Sequence, residues 1–204
     1  GGWRGALRSK GDFRINSAWT WGWDGTVADD RKFLNDYDFD KREIAASNVY
    51  VTGLEDRNYA QAQLIHYRTL EEDEEQDLMP VALPFVTASY FFGQTVAGGE
   101  LSFDFNAYSL RRNDADTEYG LGTEQTHVMG VAKWRRQMTS GMGALITPFA
   151  EVRNDLYISE NVPGAADSGH ANAYILPTAG LDIRMPFIGD HGVAQGVFTP
   201  VFQV

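Results

Sequence analysis

FRINSAWTWGW, residues 13–23, places Phe13, Ile15, Trp19, Trp21 and Trp23 at alternate positions, with Ser17 the one polar exception. Arg14, Asn16 and Thr20, and Asp24 just beyond, fall between them. Side chains on a strand alternate faces, so the segment reads as a single strand, 12–23, with one greasy and one wet face. A soluble sandwich also alternates, but its inner face rarely needs three tryptophans at one strand end. Indoles gathered at a strand end point to a membrane interface.

Outward from this stretch the same period of two recurs, and no segment has a helical repeat. About ten strands are expected, at 2–9, 12–23, 43–52, 58–70, 80–92, 99–111, 123–138, 142–158, 172–187 and 195–204. In GELSFDFNAYSL, Leu101, Phe103, Phe105 and Ala107 oppose Ser102, Asp104 and Asn106. In the eighth segment, Met142, Ala144, Ile146, Ala150, Val152, Leu156 and Ile158 oppose Thr147, Glu151, Arg153 and Asp155. The predicted fold class is all-β: an antiparallel up-and-down meander.

Connections alternate in length. DGTVADDRKFLNDYDFDKR, EEDEEQDLM, RNDADTEYGLG and SENVPGAADSGHA follow the even strands, whereas SKG, GLEDR, QTVAG and TSG follow the odd ones. Outer-membrane barrels have long external loops and short periplasmic turns, a rule that a sandwich has no reason to keep. With the long loops outside, Trp21, Trp23, Tyr157 and Tyr174 are expected near the outer interface, and Phe91, Phe92 and Trp134 near the periplasmic one; Trp19 joins this interface set.

Composition narrows the function classes. The 204 residues, 43% hydrophobic and 22% charged, can fold with a core. Low mean hydropathy and the lack of any unbroken run of about 18 apolar residues exclude a helical span and leave a barrel open. A net charge of -11 argues against nucleic acid as a partner, and zero cysteines remove disulfides, zinc thiolates and thiol nucleophiles. GGWRGALRSK has no initiator Met or signal core and FTPVFQV stops inside an apparent strand, so both ends are expected to be cuts in a longer protein.

The acidic run Glu71, Glu72, Asp73, Glu74 and Glu75, with Asp77 following, has the carboxylates but not the spacing or Gly turn of a calcium loop, and reads as a solvated external loop. His66, His127, His170 and His191 belong to no HExxH, GxSxG or ligand cluster, so no enzyme, cofactor or resident metal is expected. His127 has lumen parity, and a barrel hydrolase could recruit such a residue from separate strands. Pro84, Pro148, Pro177, Pro186 and Pro200 sit inside apparent strands, where bulges or edges are expected.

LPFVTASYFFGQTVAGGELSFDFNAYSLRR, then ITPFAEVRNDLYI, LPTAGLDIRMPF and QGVFTPVFQV, resemble in that order the barrel domain of the LptD family of outer-membrane lipopolysaccharide-assembly proteins. FRINSAWTWGWDGTVADDRKFLNDYDFD is similar to a family strand running into an acidic loop. The resemblance implies a barrel of about twenty-six strands preceded by a periplasmic jelly roll. It also implies lipopolysaccharide as cargo, an LptE-like lipoprotein plugging the lumen and an LptA-like periplasmic bridge. The jelly roll, gate strands and family cysteines are absent from this stretch, which reads as residues 1–204 of a partial barrel domain, surrounded by outer-membrane lipids. Arg14, Asn16, Asp104, Asn106, Glu151, Arg153, Asp182 and Arg184 carry the inward parity and are the candidates to face sugar or plug. A passive porin-like or substrate-specific channel is the alternative, and a ligand-binding sandwich is third.

Overall fold

A computed structural model describes residues 5–28, 44–69, 76–93, 95–165, 169–190 and 195–204. These form β1 (Ala6–Arg14), β2 (Trp19–Ala28), β3 (Ile44–Glu55), β4 (Asn58–Thr69), a 3-10 turn (Gln76–Leu78), β5 (Val81–Phe91), β6 (Glu100–Arg111) and β7 (Glu124–Arg135). β8 (Met138–Thr139), β9 (Leu145–Glu160), β10 (Gly169–Arg184), β11 (Phe187–Asp190), β12 (Gln195–Phe198) and β13 (Val201–Gln203) follow. Strand order runs β1-β2-β3-β4-β5-β6-β7-β9-β10-β13, with β8 beside β9 and β11–β12 as a separate hairpin. Among the described residues the chain is thus an all-β antiparallel meander in one open sheet plus a separate two-stranded hairpin. It divides into two compact units: Gly1–Ser89, Phe105–Met129 and Asp155–Ala173 make the first, and Tyr90–Asp104, Gly130–Asn154 and Tyr174–Val204 the second.

The opening stretch is a hairpin and not one strand. Arg14 ends β1, Trp19 begins β2, and the Asn16 side-chain oxygen accepts the backbone N–H groups of Ala18 and Trp19, both at 2.9 Å. That is an Asx-type turn, in which a short polar side chain replaces a backbone acceptor. Phe13 faces Trp21 and Gly11 faces Trp23 across the pair, so odd residues share a face on both strands. Alternation therefore reads straight through the turn and hides it.

Two other boundaries moved for identifiable reasons. The segment expected at 195–204 is split into β12 and β13 at Thr199 and Pro200, since proline has no N–H for a ladder. Between β4 and β5, Gln63 faces Phe85 and Ile65 faces Ala82, so Leu83 and Pro84 together oppose Leu64 in a β-bulge. The alternation of loop length is clear early, with residues 15–18 and 56–57 short against 29–43 and 70–80. It fades later, where 92–99, 136–144 and 161–168 are alike, because β9 and β10 reach 16 residues each and absorb sequence expected to be loop.

Burial is inverted relative to a soluble core. Among the described residues the buried hydrophobic side chains are Ala45, Ala82 and Val131, all small or medium, whereas Thr69, Ser102, Asp155 and Asp182 are buried polar ones. On β9, Asp155 is 5% exposed, while its neighbour Leu156 is 37% and Val152 40% exposed. Soluble domains put these classes the other way round.

Candidate functional site

In the first unit the polar face begins at β1 to β3. The Arg8 guanidinium lies 3.6 Å from the Asp24 carboxylate, and the Tyr50 hydroxyl donates to Asp12. One strand further, the Gln61 amide donates to the Thr52 hydroxyl at 3.1 Å. Arg14 ends β1 opposite Thr20, with the parity of Asp12 and Arg8, and is exposed.

Rings then replace polar groups on the same face. Phe85 opposes Gln63, and its ring stacks toward Tyr108 at 6.3 Å and 10°. Tyr108 meets His127 edge-on at 5.4 Å, and His127 stacks on Tyr157 at 4.1 Å and 7°. The four rings cross β5, β6, β7 and β9 in one row. His127 Nε2 sits 2.9 Å from Asp155 Oδ1, with the two side chains only 12% and 4% exposed. A pair so enclosed is held by its surroundings as well as by charge, and it fixes the imidazole plane against Tyr157.

The second unit carries ion pairs on its polar face. Lys133 Nζ is 2.8 Å from Asp104, and Arg135 holds Glu100 through Nη2 at 2.9 Å and Nε at 3.0 Å. Arg184 grips Asp182 with two donors at 2.7 and 3.2 Å, while the Gln203 amide donates to the second carboxylate oxygen at 2.7 Å. Glu151 and Arg153 are half-buried on β9 at the parity of Asp155, and Asn106, which belongs to the first unit, is half-buried on β6 at the parity of Asp104. Among the described residues no buried side-chain nitrogen or oxygen lacks a hydrogen-bond partner.

The opposite face of the first unit is aromatic and aliphatic. Phe13 stacks on Trp21 at 5.2 Å and on Trp23 at 5.3 Å. Rings lie over glycines on neighbouring strands: Gly53 faces Trp19, and a Cβ added to Gly53 would meet that indole at 2.7 Å. Trp21 and Val51, then Ala62 and Val86, continue the face across β2 to β5.

Several expected placements change. Asn16 sits in the β1–β2 turn and caps its backbone, so it is not an inward strand residue. Trp19 starts β2 beside that short turn, Trp21 follows two residues in and Trp23 sits at mid-strand, so neither Trp21 nor Trp23 stands at the C-terminal end of β2. Tyr157 lies near the C-terminal end of β9, but its ring packs on His127 within the polar-face row. Trp134 is near the C-terminal end of β7, and its indole N–H donates to the Val96 carbonyl at 2.7 Å. Tyr174 is exposed in the first half of β10, after residues 161–168.

The Glu71–Glu75 run and His191 lie outside the described residues. Asp77, the end of that acidic stretch, accepts at its backbone oxygen from the N–H groups of Asn113 and Asp114 and at its side chain from the Asn113 amide. The row of Phe85, Tyr108, His127 and Tyr157 was missed as a set; its signal was four rings at polar positions of four consecutive long strands.

A search of curated proteins gave no match. The sequence does match the family described as LPS transport system D, over residues 2–203. An all-β meander with inverted burial is what a member of that outer-membrane transport family requires of its strands, and the match spans nearly all of the sequence. The chain belongs to the LptD family of the lipopolysaccharide transport system.

Proposed function

We propose that residues 1–204 form part of the wall of an outer-membrane β-barrel that passes lipopolysaccharide to the outer leaflet, acting as a conduit and not as an enzyme. The inverted burial supports this reading most: Leu156, Val152, Phe103, Trp21 and Val49 are 37% or more exposed while Asp155, Asp182 and Ser102 are 9% or less. Aqueous solvent penalises that arrangement, and a bilayer outside with a polar lumen inside favours it. The open edges of the sheet need pairing in lipid, which further strands of the same barrel supply.

In this reading Arg14, Asp104, Asn106, Glu151, Arg153, Asp182 and Arg184 face the lumen. There they offer charge and hydrogen bonds to sugar and phosphate or to an LptE-like plug lipoprotein. Cargo arrives by an LptA-like periplasmic bridge. Trp19 and Trp21 at the start of β2, and Trp134 near the end of β7, then lie at periplasmic-interface depth, with Trp23 deeper on its strand, and Tyr174 marks the outer interface. Single cysteines placed at 150 to 154 in the full-length protein test the assignment. Positions 151 and 153 should react with a water-soluble maleimide added to the open lumen, and 150, 152 and 154 with a lipid-soluble one. Uniform water-soluble labelling would overturn the wall assignment.

A further inference from the structure

In the second unit, β11 and β12 leave the main sheet without leaving its register. Arg184 faces Val201 at the end of the β10–β13 pair, Phe187 faces Phe198 at the start of the β11–β12 pair, and two residues on each strand lie between. Met185 and Pro186 fill that gap on one strand, Thr199 and Pro200 on the other. Proline has no N–H for a ladder, so pairing lapses here after the Met185 N–H donates to the Pro200 carbonyl at 3.3 Å. The two pairs are one ribbon, interrupted at its prolines, whose outer part is two strands wide. That part carries Phe187, 48% exposed, and Phe198, 69% exposed, with their rings stacked at 6.5 Å and 25°. Each lies four positions from a member of the Ile183–Phe202 pair, so with register kept they continue the face that presents Phe202, 60% exposed. Asp182 and Arg184 occupy the other face.

We propose that the Phe187–Phe198 face of this ribbon docks on the phospholipid surface of the periplasmic leaflet, at the boundary between headgroups and acyl chains. The inference rests on the reading of the sheet as membrane wall. Depth follows from strand direction: β10 runs the same way as β7, whose Trp134 is read at the periplasmic interface, and the ribbon continues past the end of β10. Its four-residue strands add about 13 Å, enough to cross the interfacial layer that flanks a hydrocarbon core of about 30 Å. Aromatic rings settle in that layer. An isolated two-stranded ribbon is marginal in water, so its apolar face needs cover. Area argues against a protein as that cover: two phenylalanines at these exposures offer under about 300 Å², well short of the roughly 800 Å² per partner that specific protein interfaces bury. A lipid surface sets no such minimum, because the wall beside the ribbon already holds it there.

The test places single nitroxide labels at 175, 187, 197 and 198 of the full-length protein in vesicles of phosphatidylethanolamine and phosphatidylglycerol. Collisions with oxygen, which concentrates in lipid, are compared with collisions with a water-soluble nickel complex present on both sides. Val197 is 68% exposed on the ribbon's other face and is the internal control; Ile175, 71% exposed on β10 at the parity of Ile183, reports on the wall. Labels at 187 and 198 should show an oxygen-to-nickel ratio several-fold above that at 197. If 175 favours oxygen while 187 and 198 match 197, the wall stands and the docked ribbon falls. It falls equally if 187 and 198 are shielded from both reagents, the signature of a protein partner or a second copy. If 175 favours nickel, the wall reading falls and the docked ribbon with it.

Discussion

Two clusters of rings in the first unit face opposite ways, and different forces hold them. Phe13 stacks on Trp21 and Trp23 at 5.2 and 5.3 Å on the apolar face, with the two indoles tilted at 5.6 Å, where ring contacts and glycine seats set their geometry. Phe85, Tyr108, His127 and Tyr157 lie among polar neighbours, and an enclosed carboxylate fixes the third ring. The difference lies in what surrounds each cluster: exposed rings can exchange one neighbour's contact for another at little cost, whereas breaking an enclosed polar pair leaves a buried donor or acceptor unsatisfied.

The largest effect should come from the polar side. Asp155→Ala leaves His127 enclosed without its acceptor and should cost about 3 kcal/mol, read as a lower urea midpoint for the protein refolded in vesicles. Next comes Gly53→Val, whose side chain has no room beneath the Trp19 indole; displacement of that ring should cost about 1–3 kcal/mol in the same assay. A double-mutant cycle between Phe13 and Trp21 should give a smaller coupling, about 0.5–1.5 kcal/mol. Arg8→Ala, which loses only an exposed ion pair to Asp24, should change stability by less than about 1 kcal/mol. If Asp155→Ala proved milder than the Phe13–Trp21 coupling, the contrast between the clusters would be broken. A His127–Tyr157 cycle exceeding the Phe13–Trp21 value would sharpen it, because both are ring stacks and differ in what anchors them.

Much of the fold was legible because a meander obeys one local rule, alternation, repeated strand after strand. Leu101 to Asn106 and Ile146 to Asp155 lie on β6 and β9 with the parity their residue types imply. Where that rule is blind, the reading failed. Phe13 and Trp21 keep the same parity across a turn, so a hairpin passed for a strand and the tryptophans were placed at the wrong end. Thr199 and Pro200 interrupt a run whose hydrophobicity looks continuous. Tyr157 was sorted by residue type as an interface anchor, although it alternates with Leu156 and Ile158 and therefore belongs with Asp155. Of the candidate site, single polar positions were visible and their partners were not: the pairing of Lys133 with Asp104, or of His127 with Asp155, depends on register between strands, which alternation within one strand does not encode.

The strand order has a consequence for how such a sheet comes into being. Nearly every strand pairs with the one made just before it, so each new contact closes a short loop and the entropy lost at each step is small. Growth can proceed one hairpin at a time from either end, with the last strand added always serving as the template for the next. Only that single advancing edge has to be kept from mispairing while the sheet grows, and the number of strands already in place adds nothing to the task.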